Sequence, residues 1–471
     1  MKRKGLLGAI TLLLLSLISL PFTLLGKKKK PNILFILIDD LGWADLSYAG
    51  SSFYETPNID KLRSEGMMFT NAYSACPVSS PSRASILTGK NPAHLQFTGH
   101  ITAIGKHRYP ERGRIIPPDD KMYIELEEIL IPEALPKEYK TVSIGKWHVG
   151  NTEQYFPTHQ GFDMNIAGYE HGSPPTYWGP YTNPDLDWNP AIKNLEPGPI
   201  GEYLTDRLTD EAIRFIQENK NDPFFMYLSH YAVHTPLQAP ADLVSKYEEK
   251  MKTDSSQISP VYAAMIEVVD NNVGRLLEEL KRLNLDENTI VIFASDNGGT
   301  TEATLNSPLR EGKGFLYEGG IRIPLLIKWP KHIAEKSTCN EMVITDDLYP
   351  TIMELVGSDT KPAKDIDGVS LVPLLKGGNT WSRDQLCWYY PHYSPQAQKP
   401  GYAIRKGNYK LVEHYDPEKT ELFDLSNDLG ENHNLIAKYP DIVQTLKSDF
   451  EHWLQFMNPV MHTINPNYKE E

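Results

Sequence analysis

The chain has 471 residues, in which 47 Lys and Arg face 61 Asp and Glu, so its formal net charge is −14. This acidic balance argues against a nucleic-acid-binding protein, which would normally carry a basic face for phosphates. Apolar residues make up 40% and aromatic residues 10% of the chain, which excludes wholesale disorder and predicts a globular protein with a sizeable core. Three cysteines are too few for a disulfide scaffold or a four-cysteine zinc site.

Residues 1–26 have the layout of an export signal. Basic residues precede an uncharged, leucine-dominated run at 6–25, and four lysines follow it at 27–30. This pattern predicts export to the periplasm or out of the cell. The run is also long enough to span a bilayer, so an uncleaved anchor is the alternative. Only in that case do we expect the protein to contact a membrane.

Strand-like and helix-like segments alternate from residue 31 to about 375, as in a parallel sheet covered by helices. The apolar run Asn32–Ile38 is typical of a central buried strand. Further strands are predicted, in chain order, at 139–144, 223–228, 289–294 and 322–327. A helical apolar repeat begins at Leu204, and Ser259-Pro260 predicts the N-cap and first turn of another helix.

The pattern changes after residue 375. Short strands separated by turns are predicted at 386–390, 402–405, 409–413 and 421–424, and an amphipathic helix at 441–456. The sequence therefore predicts an α/β fold with a large domain at 31–375, whose mostly parallel central sheet lies between helices. A small C-terminal α+β subdomain at 376–471 adds an antiparallel sheet and one helix.

Acidic and amide side chains follow two of the predicted strands, at the edge where open α/β sheets bind ligands. Asp39-Asp40 follows the first strand and Asp296-Asn297 follows the fourth. If these strands are neighbours, three carboxylates and one amide oxygen form a site suited to calcium or magnesium. Taken alone, each pair is also an ordinary turn former.

Basic side chains follow the other predicted strands. Lys146 and His148 come after the second strand, and His230 and His234 after the third. A single Lys or His in such a place is usually structural, but four strand ends carrying acids, lysine and imidazole favour a shared site. Lys313 lies between two glycines, which permit close approach to a ligand or form a flexible turn.

The segment 76–90, CPVSSPSRASILTGK, is a polar turn that leads into a helical pattern. A helix beginning near Pro81 would point its positive end at a group attached to Ser79 or Ser80. The residues alone thus predict an anion site beside a cation site.

This same segment resembles the signature of the type I sulfatase family, with S-x-P-S-R at 79–83 and L-T-G at 87–89. Further fragments occur in the family's order: IDD, GKWH, HTP, SDNGG, GKG, YEGG, and near the end YKL and ELFD. The resemblance covers about 31–456 and implies an alkaline-phosphatase-like fold.

In that family the first signature residue is oxidised by a maturation enzyme to formylglycine (3-oxoalanine), whose hydrated aldehyde is the nucleophile. The resemblance assigns this role to Ser79, as in the serine-type bacterial variant. Cys76 is excluded because the residue two places on is Val78 and not proline.

The resemblance also implies a Ca²⁺ ion and a set of roles for the polar residues after the strands. The ion's ligands would be Asp39, Asp40, Asp296, Asn297 and the modified Ser79. Arg83 and Lys146 would hold the nucleophile and the sulfate oxygens, and His234 or Lys313 would protonate the leaving oxygen. His148 would then take the proton from the second hydroxyl of the hydrated aldehyde, which expels sulfate. His230 is interpreted as structural.

Family membership implies hydrolysis of sulfate monoesters without naming the ester, and three features favour a sulfated carbohydrate. The basic cluster at 106–114 is either a subsite for further anionic groups or a solvated loop. The aromatic residues Tyr169, Tyr177, Trp178, Tyr181 and Trp188 either stack on sugars or pack their own loop. His392 and Tyr393 are expected to return from the small subdomain towards the pocket.

Two other functions stay open at this point. A phosphomonoester or phosphonate-ester hydrolase of the same superfamily would use a similar site. A catalytically silent glycan-binding protein would have an unmodified Ser79.

Overall fold

The computed structural model describes residues 30–101, 113–119, 121–358, 365–378, 381, 383–396 and 399–469. The expected export signal at 1–26 and the basic cluster up to residue 112 lie outside these ranges. Of that cluster, Arg114 is described and forms an ion pair with Glu418. Within the described ranges, none of the helices combines the length and apolar character that a membrane span requires.

Strands and α-helices alternate along most of these ranges. The strands are, in chain order, β1 (Asn32–Ile38), β2 (Met67–Tyr73), β3 (Ile115–Ile116), β4 (Lys140–Gly145), β5 (Met164–Ile166), β6 (Phe224–Ser229), β7 (Thr289–Ser295), β8 (Leu325–Lys328), β9 (Ser337–Ile344), β10 (Gln385–Tyr390), β11 (Gly401–Lys406), β12 (Tyr409–Tyr415), β13 (Glu418–Asp424) and β14 (Thr463–Ile464). The helices are α1 (Pro57–Ser64), α2 (Ser79–Thr88), α3 (Ile131–Ala134), α4 (Leu204–Glu218), α5 (Ala241–Met251), α6 (Pro260–Arg282), α7 (Glu318–Ile321), α8 (Leu348–Val356), α9 (Val372–Leu375) and α10 (Pro440–Met457).

An eight-stranded sheet in the order β5-β4-β6-β1-β7-β8-β2-β9 organises the large domain. Strand β1 pairs in parallel with β6 and β7, and all of its residues are buried, as expected for a strand in the middle of a sheet covered on both faces. Only β8 runs against its neighbours β7 and β2. The predicted fold class, with a mostly parallel central sheet, is confirmed.

The parallel strands β4, β6, β1 and β7 lie side by side, so their carboxyl ends share one edge of the sheet. The predicted strands match these four to within one residue at each end, whereas the fifth begins at Leu325 and not at 322. Helix α6 begins as predicted, with the Ser259 hydroxyl accepting the Tyr262 amide at 3.1 Å. The condition for an acidic site, neighbouring strands before Asp39 and Asp296, is therefore met.

A four-stranded antiparallel sheet in the order β10-β11-β12-β13 follows the large domain. Helix α10 covers one face, where Phe450 stacks on Tyr402 with ring centroids 3.7 Å apart. The other face packs against the large domain, where the Trp388 indole donates to the Ser74 carbonyl at 2.8 Å. The sheet therefore touches the segment that leads from β2 to α2.

Candidate active site

Three acidic side chains meet at the shared edge of the sheet. Asp39 and Asp40 follow β1, and Asp296 follows β7, and one carboxylate oxygen of each lies within 4.8 Å of the others. All three are buried. The Asn297 amide donates to Asp40 Oδ1 at 2.8 Å, which turns its own oxygen towards Ser79. This oxygen-only donor set fits a hard divalent cation such as calcium or magnesium.

Ser79 lies beside these acids as the first residue of α2. The helix begins two positions before Pro81, near which it was predicted to begin. Its Oγ is 3.1 Å from Asp39 Oδ1 and 3.2 Å from Asn297 Oδ1. Lys146 Nζ donates to the same Oγ at 3.2 Å. Ser79 therefore touches the acidic cluster and a cation in the first turn of a helix, where the free amides favour negative charge.

Each acid of the cluster is paired with a buried or nearly buried cation. Lys146 Nζ is 2.7 Å from Asp39 Oδ2, and Lys313 Nζ is 2.7 Å from Asp40 Oδ2. Burial acts to raise the pKa of Asp39 and Asp40, but Lys146 and Lys313 respectively, with His234, outweigh it and lower both. The carboxylates are therefore charged, which is the form that binds a cation.

Arg83 has a different environment from the one expected for a sulfate ligand. It is fully buried, and its guanidinium contacts Asp296 at 2.8 Å and Asp39 at 3.5 Å. A further short hydrogen bond joins it to the Ser229 hydroxyl. The structure thus places Arg83 beneath the acids, where it orients two of them, while Lys146 and Lys313 face the cavity.

His148 is held at both ring nitrogens. Its Nε2 is 3.0 Å from the Ile101 carbonyl, which can only accept, and its Nδ1 is 3.2 Å from Ser80 Oγ. Nε2 therefore carries the proton and Nδ1 is the basic atom. Burial and the charge of Lys146 lower the pKa of His148 well below its usual value, so the ring is neutral.

His234 and His230 follow β6, but only one of them reaches the cavity. His234 lines it, with Nε2 3.6 Å from Asp40 Oδ2 and Nδ1 2.9 Å from the Thr235 carbonyl. Its pKa is lowered by burial and by Lys313. His230 is buried away from the cavity, and burial lowers its pKa to about 4. This placement agrees with a structural role for His230.

The loop that carries Lys313 packs closely on the loop after β7, and glycines make this possible. The Gly298 amide donates to the Gly320 carbonyl at 3.0 Å, and the Lys313 amide donates to the Gly299 carbonyl at 2.9 Å. A Cβ at Gly298 would lie 1.8 Å from the Gly319 carbonyl oxygen. The glycines of the SDNGG and YEGG fragments thus bring Lys313 to the acids.

A cavity of about 420 Å³ opens above this floor, a volume typical of a small-ligand site. The floor residues that line it are Ser79, Lys146, His148, His234 and Lys313. Its rim includes Trp188 and five residues that no sequence motif indicated. These five are His100, Asn151, Glu170, His171 and Gln396.

Trp188 is the one residue of the five aromatic candidates that lines the cavity. It is 49% exposed, and its ring is 5.4 Å from that of His171. Tyr169, Tyr177 and Tyr181 are buried, and the Tyr177 hydroxyl donates to the Tyr231 carbonyl at 2.7 Å. The three tyrosines pack their own loop, and Trp178 packs on Tyr203 with ring centroids 5.0 Å apart.

The expectation that His392 and Tyr393 return to the pocket is wrong. His392 is buried with its Nε2 2.8 Å from Thr98 Oγ1, and the Tyr393 hydroxyl donates to Asp416 at 2.7 Å. Neither lines the cavity, but Gln396, a few residues further on, does. These polar partners hold the two rings inside the protein, so the segment that follows them reaches the cavity rim only at Gln396.

Comparison with protein families gives two matches. The family model described as sulfatase matches residues 31–358. The model described as N-sulphoglucosamine sulphohydrolase, C-terminal, matches residues 312–455.

Two curated relatives and one solved structure resemble most of the chain. A sulfatase of Formosa agariphila is 32% identical, covering 90% of this chain and 89% of its own. The N-acetylgalactosamine-6-sulfatase of Mus musculus is 33% identical, covering 89% and 84% respectively. The crystal structure of Ps i-CgsB in complex with k-i-k-neocarrahexaose matches with a TM-score of 0.77 and 30% identity, covering 94% of this chain and 95% of that one.

Proposed function

This chain belongs to the sulfatase family and is a sulfuric ester hydrolase. From that premise we propose that it removes sulfate from a carbohydrate and that Ser79, oxidised to formylglycine, is its nucleophile. The position of Ser79 carries the proposal. Its Oγ lies on the cavity floor, within 3.2 Å of Asp39, Asn297 and Lys146.

Ser79 oxidised to 3-oxoalanine would supply a hydrated aldehyde. One hydroxyl would attack sulfur as the bond from sulfur to the sugar oxygen breaks, and loss of the proton from the other would break the C–O bond to sulfate and restore the aldehyde. A sulfate ester on unmodified serine has no comparable route of release, so the modification is required for turnover. The partner that this demands is a maturation enzyme that acts on serine.

We assign Asp39, Asp40, Asp296, Asn297 and the modified Ser79 as the ligands of a Ca²⁺ ion. One carboxylate oxygen of each acid lies within 4.8 Å of the others, and these oxygens, with that of Asn297, form the oxygen-only donor set that calcium takes. A calcium ion held by these residues would supply positive charge to stabilise the anionic groups of the reaction. Arg83, bound to Asp296 and Asp39, fixes the orientation of two of these carboxylates.

Lys146 and Lys313 bind the sulfate group from two sides of the floor. Both line the cavity, and each ammonium is already fixed 2.7 Å from an aspartate. A sulfate ester resists hydrolysis because its oxygens repel a nucleophile and its leaving alkoxide is poor. Fixed cations in a buried site reduce both barriers, because they are oriented before the reaction begins.

His148 and His234 move the protons. His148 Nδ1 is the basic atom of its ring and lies next to the first turn of α2, beside Ser80 Oγ, and we assign it the proton of the second hydroxyl, whose loss releases sulfate. His234 is at the cavity wall, on the side of Lys313, and one of these two protonates the leaving sugar oxygen.

The rim of the cavity supports a carbohydrate as the leaving group. An exposed indole at the mouth of a cavity offers a flat apolar face to a sugar ring, and Glu170 offers a carboxylate that accepts hydrogen bonds from hydroxyls. The mouse relative is named for a sulfated amino sugar, and the matched crystal structure contains a neocarrahexaose. A sulfated glycan is therefore the substrate class we propose.

Parallel assays with an aryl sulfate and the matching aryl phosphate separate this proposal from a phosphohydrolase. We expect hydrolysis of the sulfate to exceed that of the phosphate in kcat/KM. A clear preference for the phosphate would favour the rival activity. No turnover of either ester by protein with oxidised Ser79 would favour a silent glycan-binding protein.

Sulfate release from a panel of defined sulfated saccharides then identifies the sugar. We propose export to the periplasm or beyond, with the segment 1–26 cleaved or retained as an anchor, because this location gives access to glycans outside the cell. Fractionation of the cells that make the protein, followed by N-terminal sequencing, tests the location and the cleavage together.

A further inference from the structure

Lys313 is carried by a loop whose two sides are bound by one residue of the small subdomain, Glu431, through its side chain on one side and its backbone on the other. Glu431 follows β13, and its Oε2 accepts the Glu318 amide at 2.7 Å. Its own carbonyl accepts the Arg310 guanidinium at 3.0 Å. Arg310 precedes Lys313 by three residues and Glu318 follows it by five, so the two ends of this short loop share one anchor.

A buried lysine holds this anchor in place. Lys410 on β12 lies 2.8 Å from Glu431 Oε1 and 3.0 Å from Glu318 Oε1, and all three side chains are fully buried. The Lys410 ammonium therefore joins the two carboxylates and fixes Glu431 beside Glu318. Lys410 and Glu318 belong to the YKL and YEGG fragments, but neither side chain lines the cavity.

The same cluster reaches the segment that leads to Ser79. Glu318 Oε2 accepts the Tyr73 hydroxyl at 2.8 Å, and the Ser74 amide donates to the Ile321 carbonyl at 2.8 Å. The Gly314 amide donates to the Pro77 carbonyl at 2.8 Å. The loop of Lys313 is therefore bonded both to the small subdomain and to the chain just before the nucleophile.

We propose that Glu431, held by Lys410, is a positioning residue that sets the place of Lys313 over the cavity floor. The inference rests on the proposed role of Lys313 at the sulfate group. It gives the small subdomain a part in the reaction, because the Glu431 carboxylate accepts the Glu318 amide on one side of the loop and the Glu431 carbonyl accepts Arg310 on the other. Misplacing a group at the reacting centre by about 1 Å can cost 10²-fold in rate.

The test compares Glu431→Ala with Glu431→Gln and with Leu446→Ala. The alanine variant removes the acceptor of the Glu318 amide, whereas glutamine keeps an oxygen there. Leu446 is buried between α10 and the small sheet, away from the Lys313 loop. Its variant therefore reports destabilisation of the subdomain alone. Each protein is purified, its oxidised fraction of Ser79 is measured, and kcat and KM for an aryl sulfate are expressed per oxidised site.

We expect Glu431→Ala to lower kcat about 10-fold or more with a smaller change in KM. Glu431→Gln should retain most of the activity, and Leu446→Ala should lower the melting temperature without lowering kcat. Equal kcat in Glu431→Ala and Leu446→Ala would overturn the proposal. If the wild type with oxidised Ser79 releases no sulfate, the proposed function fails instead, which the same assay distinguishes.

A second arm tests whether the effect passes through Lys313. In a Lys313→Ala background, Glu431→Ala should lower kcat further by less than about 2-fold, because residues that act through one another are not additive. The same fold loss in both backgrounds would contradict positioning of Lys313.

Discussion

The floor and the rim of the cavity differ in how firmly their side chains are held. On the floor, Ser79 and the acids are buried and joined to cations by contacts of 2.7 to 3.2 Å. On the rim, Trp188 is 49% exposed and Glu170 is 20% exposed. The difference indicates that the reacting groups are held rigidly on the floor. The rim loops, which can vary without moving those groups, are where we expect substrate selectivity to be determined.

Replacement of Ser79 should give the largest effect. Ser79→Ala removes the only oxygen that can be oxidised at this position, and kcat for an aryl sulfate should fall about 10³-fold or more. Ser85→Ala is the matched control: it is a buried serine of the same helix whose hydroxyl has no hydrogen-bond partner among the described residues. Activity of Ser79→Ala equal to that of the control would refute the nucleophile.

Replacement of an acid on the floor should weaken metal binding. Asp296→Asn removes a charged ligand, and we expect the calcium affinity measured by calorimetry to fall about 10-fold or more. Glu302→Gln, an exposed residue of the loop after β7, removes the same charge outside the site and should leave the affinity unchanged. Unchanged affinity in Asp296→Asn would show that the ion is not bound as proposed.

A change at the rim should be milder and should depend on the substrate. Trp188→Ala should raise KM for a sulfated saccharide about 5-fold, because one stacked ring contributes roughly 1 kcal/mol. The ratio of kcat/KM for saccharide over aryl sulfate is the measurement. Phe456→Ala, an exposed aromatic on α10, serves as control. A ratio equal to that of the control would remove Trp188 from sugar binding.

No effect on activity, but one on stability, is expected at Asp346, a buried acid with no ion pair among the described residues. Burial and the charge of Asp347 raise the pKa of Asp346 to about 7. The folded state therefore binds its proton more tightly than the unfolded state, and this contribution to stability is lost as pH rises from about 4 to about 7. Asp346→Asn should flatten the fall in melting temperature over that range. An unchanged pH dependence would show that Asp346 is ionised throughout.

Most of the floor was predictable from the sequence because it follows buried strands. The runs ending at Ile38 and Ser295 are continuous and apolar, and their neighbouring positions in the sheet bring Asp39 and Asp296 together. Ser79 was found through a motif. The edge strands β5 and β9, and β2 beside β9, were missed, since β5 is short and the others mix polar with apolar residues.

The rim was not predictable for a physical reason. Glu170 and His171 lie in an irregular loop with no periodicity, and they reach the cavity only because Tyr169 and Tyr177 anchor that loop in the core. The burial of His392 depends on a partner, Thr98, that is distant in sequence. Such placements follow from tertiary packing, which no local pattern records.

The central claim is that sulfate release depends on oxidised Ser79, and one titration tests it directly. Protein is prepared with different oxidised fractions of Ser79, each quantified by mass spectrometry as the peptide that has lost two hydrogens, and sulfate release is measured for each. The account predicts a rate proportional to that fraction and close to zero for unmodified serine. A rate independent of the fraction would contradict it.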